Sequence, residues 1–116
     1  MYFELTKSQK KIARRVMDKG IENHYIEALK DADHILIKWR EGKYENPREA
    51  YMKLFDKVMK NDDNIARIYN NKGGSRWVEV MAWQLAQKVI SLEDLQEFDE
   101  EVRNVIIRLS GIENTD

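Results

Sequence analysis

A chain of 116 residues with 42% apolar and 35% charged side chains is long enough for one buried core and carries no apolar run near the roughly 20 residues that a membrane span needs. It has no cysteine, which excludes disulfides, thiol nucleophiles and cysteine-based zinc sites. The net charge is −1, but residues 1–20 carry six Lys/Arg against two Asp/Glu and residues 91–116 carry two against eight, so a basic first helix and an acidic last helix can attract each other.

The first segment, Met1-Tyr2-Phe3-Glu4-Leu5, lacks the basic start and apolar middle of a signal peptide, and the expectation is a cytoplasmic protein without a membrane partner. Thr6 or Ser8 caps a first helix, 7–19, in which Ile12, Ala13, Val16 and Met17 share one face. Gly20 either ends that helix or sits inside a longer one at a cost of about 1 kcal/mol relative to alanine. A second helix over 21–41 carries a heptad-like seam of Ile21, Tyr25, Ala28, Ala32, Ile35 and Trp39, widened by Leu29 and Leu36 and stopped near Gly42.

Asn46 and Pro47 form a start signal for a helix over 47–70, with Ala50, Tyr51, Leu54, Phe55, Val58 and Met59 as its apolar face. The run Lys60-Asn61-Asp62-Asp63-Asn64 is a place where it can kink, because Asn and Asp compete for backbone hydrogen bonds. The helix over 76–89 is apolar on most of its circumference and is therefore expected to be the most buried. The last helix, 92–110, has Glu93 and Asp94 in its first turn and a stripe of Leu92, Leu95, Phe98, Val102, Val105, Ile106 and Leu109, ending at Gly111. No stretch alternates with the period of a half-buried strand. These elements predict an all-α fold: one domain, a compact antiparallel bundle of four or five helices.

Four sets of residues bear on function. Lys72, Gly73, Gly74, Ser75 and Arg76 precede the apolar helix, where free N–H groups and flanking cations are the ingredients of an anion site. The P-loop pattern is absent, and glycine followed by a serine cap also makes an ordinary corner between helices, which is the favoured reading. His24, Glu27, Asp31 and His34 form a polar stripe containing two chelating pairs of the kind that suit zinc or iron. The histidines lie about 15 Å apart along the axis, so each pair needs further ligands from elsewhere. A solvated, salt-bridged edge competes with that reading, and no cofactor is expected.

Lys7, Lys10, Lys11, Arg14 and Arg15 cover the face of the first helix opposite its apolar stripe and could follow the phosphates of a nucleic acid or another polyanion. The short turn in Gln87–Phe98 resembles a helix-turn-helix in spacing only, since its second helix is acidic. Glu79 on the apolar helix is either a carboxyl with a raised pKa or a salt-bridge partner of Arg76. Ile26 and Ile37 lie off the main seam and, with Trp39, Tyr44 and Trp77, suggest a secondary apolar patch: exposed, it favours self-association; buried, it means only that this long helix touches neighbours on two sides. No catalytic constellation is complete. The expected role is a non-enzymatic protein-interaction or regulatory domain, open to homodimerisation. Polyanion binding by the first helix and a metal-dependent enzyme on the His24–His34 stripe are the alternatives.

Overall fold

The computed structural model describes residues 4–70 and 76–112. Among these residues every regular element is helical: α1 (Lys7–Arg40), α2 (Pro47–Tyr69), α3 (Trp77–Ala86), a 3₁₀ turn (Leu92–Leu95) and α4 (Glu100–Ser110). None of these helices is long and apolar enough to cross a membrane. Contacts divide the chain into two units, one made of residues up to Asn23 together with those from Ile68 onward, the other of His24–Arg67. Helices α1 and α2 each contribute residues to both units.

The first unit holds the continuous hydrophobic core. Ala13, Val16 and Met17 of α1 meet Val78, Met81 and Leu85 of α3 and Val102, Val105 and Ile106 of α4 in one buried cluster, joined by Leu5, Leu95 and Phe98. Helix α1 runs unbroken through Gly20, and the reason lies in α3. The Gln84 side chain, fully buried, donates from Nε2 to the carbonyl of Met17 at 3.0 Å and to the Tyr69 hydroxyl at 2.9 Å. A Cβ at position 20 would stand 2.2 Å from that same Nε2. Glycine is retained inside the helix because the neighbouring helix places a side chain where a methyl group would be.

Two expected boundaries in this unit are corrected. The apolar helix ends at Ala86 rather than near residue 89, closed by a Schellman pair in which Val89 N–H donates to the Gln84 carbonyl at 3.0 Å and Lys88 N–H to that of Leu85 at 3.1 Å. Lys88 takes the left-handed conformation this closure requires, φ 63°. The turn sends Val89 and Ile90 into the interior, while Trp83, expected in the most buried helix, is about half exposed at 47%. Residues 92–110 are likewise not one helix. The Asp94 carboxylate accepts from the Ser91 backbone N–H at 2.8 Å and from its hydroxyl at 3.1 Å, a capping box that opens the short 3₁₀ turn Leu92–Leu95. α4 itself starts only after Asp99, and the intervening turn lets Leu95 and Phe98 both enter the core.

The second unit is an antiparallel hairpin of the C-terminal part of α1 and most of α2. α1 closes with Gly42 at φ 74°, whose N–H donates to the Trp39 carbonyl at 3.0 Å. α2 opens with the Asn46 side chain accepting the Glu49 N–H at 2.8 Å, and it passes through residues 60–64 without a break. Ala28, Ala32, Ile35 and Leu54 are half-buried along the unit's inner seam, and only His24, Ala50 and Ile65 are fully buried in this unit. The seam expected from spacing is thus only partly covered: Tyr25, Leu29, Leu36 and Trp39 of α1 and Tyr51, Phe55, Val58 and Met59 of α2 are exposed. Two helices shield one narrow strip of each other, and these stripes are wider than that strip.

Candidate functional site

The residues singled out by their chemistry are placed apart from one another. Lys72, Gly73, Gly74 and Ser75 lie outside the described residues. Arg76 is exposed and donates from Nη2 to Glu79 Oε2 at 3.3 Å, so Glu79 has the salt-bridge partner that spacing offered it. On the polar stripe His24 is buried and His34 exposed; Glu27 pairs with Lys30 at 3.2 Å; Asp31 accepts from Asn61 Nδ2 at 3.1 Å and pairs with Lys57 at 3.8 Å. Among the described residues no three His, Asp or Glu side chains converge where a metal ion could sit.

The basic face of α1 is partly engaged within its own unit. Arg15 pairs with Glu97, Gln9 Nε2 donates to Asp99 Oδ2 at 2.9 Å, and Lys19 Nζ donates to Asp94 Oδ1 at 2.6 Å. The Arg14 guanidinium lies 5.3 Å from the centre of the Trp77 ring, a cation–π distance. Partial burial pushes the Asp94 carboxyl up. The hydrogen bonds from Lys19 and from the Ser91 backbone and hydroxyl, with the Lys19 charge, outweigh that effect and hold it below its ordinary value of 3.8. The charge asymmetry of the sequence is thus used in part to join the start of α1 to the 94–99 turn. Lys7 and Lys11 remain exposed on the same helix.

The hairpin presents a different surface. Positions rotated in the same sense from the contact seam of two antiparallel helices fall on the same side of the pair. Tyr25, Leu29, Leu36 and Trp39 are so rotated on α1, as are Tyr51, Phe55 and Val58 on α2, and they form one apolar side. Glu27, Asp31, Lys38, Lys57 and Lys60 are rotated the other way and make the opposite side polar. Ile26 and Ile37 continue the apolar side around α1, both exposed. Trp77 packs against the core of the first unit.

Two apolar grooves run in tandem along this side. One, of about 250 Å³, is lined by Tyr25, Leu29, Ala32, Val58, Asp62 and Ile65 among others. The other, of about 280 Å³, is lined by Ile35, Leu36, Trp39, Pro47, Tyr51 and Leu54 among others. A smaller depression of about 170 Å³ beside Trp83, lined by Ala82, Ala86, Gln87, Leu109 and Ser110, lies in the first unit. Single exposed apolar residues are normal on a protein surface; a contiguous apolar side with grooves is the informative feature. Spacing alone found the apolar residues but not the grooves, because grooves depend on how far apart the two helices hold their side chains. No family model matches this sequence, and neither a curated protein nor a solved structure matches it.

Proposed function

We propose that this protein is a non-enzymatic protein-interaction module whose working surface is the apolar side of the His24–Arg67 hairpin, and that its helices complete a compact antiparallel bundle when that side is covered. The observation that carries this reading is the imbalance of burial within the hairpin. Eleven large apolar side chains are exposed there, from Tyr25 to Met59, against three residues that are fully buried: His24, Ala50 and Ile65. At about half exposure each, those side chains forgo on the order of 10 kcal/mol of transfer free energy. That is comparable with the roughly 5–15 kcal/mol by which whole domains are stable. A surface that holds back so much burial gains it on association.

The test is site-specific photo-cross-linking in producing cells. A benzophenone side chain at Phe55, on the apolar side, is expected to join the protein covalently to another polypeptide. The same group at Lys60, on the polar side, serves as the control. Equal and negligible intermolecular products from both positions would remove this reading.

A further inference from the structure

We infer that the polypeptide covering this apolar side is a second copy of the same hairpin, docked antiparallel about a two-fold axis that passes near the middle of the hairpin. The inference rests on the interaction reading above and names its partner.

Three observations converge on it. The two grooves are nearly equal in volume, about 250 and 280 Å³, and sit one toward each end of the same side. A two-fold rotation about an axis between them exchanges one for the other, which is the self-complementarity an isologous interface requires. Next, the two most exposed of the hairpin's large apolar side chains are Leu29, 70% exposed, and Tyr51, 66% exposed. Leu29 stands at the first groove and Tyr51 at the second. The same rotation carries Tyr51 of one copy to the groove edged by Leu29 of the other, and the reverse, so each protruding side chain has a cleft to enter.

Charge then fixes the direction. Asp62 borders the first groove, while Arg48 follows Pro47, which lines the second, and lies fourteen positions from Asp62 on α2, about 21 Å along its axis. Both are exposed, and their spacing returns them to nearly the same side of the helix. Parallel docking about a two-fold along the helices brings Asp62 level with Asp62 and Arg48 level with Arg48. Antiparallel docking sets Asp62 of each copy against Arg48 of the other, and like charges brought together disfavour the first arrangement. A face about 25 Å long and two helices wide also approaches the roughly 800 Å² per partner of a standard stable interface. The product is a four-helix bundle made from two hairpins.

The chain contains no cysteine, so introduced cysteines are unique. The purified full chain is expected to sediment as a dimer at tens of micromolar, and Leu29→Glu to shift it to monomer with its helical circular dichroism kept. Asp62→Arg is expected to weaken association about tenfold, and adding Arg48→Asp in the same chain to restore it. The variant with Arg48→Cys and Asp62→Cys, treated with a short bis-maleimide, is expected to give an intermolecular product whose peptide map joins position 48 to position 62. A strictly monomeric chain overturns the inference, as do 48-to-48 links in place of 48-to-62 links, or a charge swap that fails to restore binding. If the chain is monomeric alone while the benzophenone at Phe55 captures a different protein, the self-association inference falls and the interaction reading stands. If Phe55 captures nothing between chains, both fall.

Discussion

Gly20 and Gln84 show how a single pair of residues can carry information that neither shows alone. A glycine inside an exposed helix loses about 1 kcal/mol relative to alanine, so Gly20→Ala read locally would stabilise α1. The Gln84 amide lies where the new methyl group would go, and because it is buried and donates from Nε2 to two partners, moving aside for that methyl breaks those bonds. Gly20→Ala is therefore expected to destabilise the protein by about 1–3 kcal/mol, the range for overpacking. In the Gln84→Ala background the same change is expected to be neutral or stabilising by up to about 1 kcal/mol. Urea denaturation of the four proteins of this cycle measures it, and additive effects would show that the contact does not exist.

The elements end where local closure and tertiary demand agree. Asn46, Gly42 and Gly111 are readable as boundaries from residue type, and each performs that role through its side chain or its left-handed backbone. Lys88 is the opposite case. It occupies a left-handed position, φ 63°, that glycine fills without strain, and no residue preference announces it. The chain turns there because Val89 and Ile90 gain burial by leaving the helix. Lys88→Gly is expected to raise stability by about 1 kcal/mol, the order of the left-handed penalty for a residue with a Cβ. Thermal unfolding by circular dichroism checks the direction, and a lowered melting temperature would mean that the lysine side chain contributes more than its backbone costs. In the 91–99 turn the helical spacing is real, and Ser91 and Asp94 cap a 3₁₀ turn there, but the stripe is delivered by that turn followed by α4 and not by one helix.

At the scale of the whole molecule, burial is unevenly shared. The continuous core belongs to the first unit, while the hairpin keeps most of its large apolar residues at its surface. Local opening is easiest where few apolar contacts must be broken. Amides of α3 and α4 are thus expected to exchange slowest with solvent water, and those of α2 between Tyr51 and Met59 faster at low protein concentration. If the hairpin dimerises, protection of the α2 amides is expected to increase with concentration while that of α4 stays constant. Hydrogen exchange followed by mass spectrometry at two concentrations measures this, and uniform protection along the chain would contradict the uneven burial.

The all-helical class, the capping residues and the apolar stripe of Ile12, Ala13, Val16 and Met17 are legible in the sequence because propensity, capping and periodicity act within a few residues. The apolar residues of the candidate surface are legible for the same reason. Whether a stripe is covered is another matter. Tyr25, Leu29, Tyr51 and Phe55 follow the same spacing as Val16 or Val102, yet the former lie in water and the latter in the core. Periodicity records how much apolar surface a helix offers, while burial depends on how many neighbours the chain brings to it over long separations. Only the tertiary structure decided that α1 continues past Gly20, that Trp83 stands half in water, and that the hairpin's apolar side is uncovered within one copy. Each of these outcomes rests on atoms from segments distant in sequence meeting, or failing to meet, at one place.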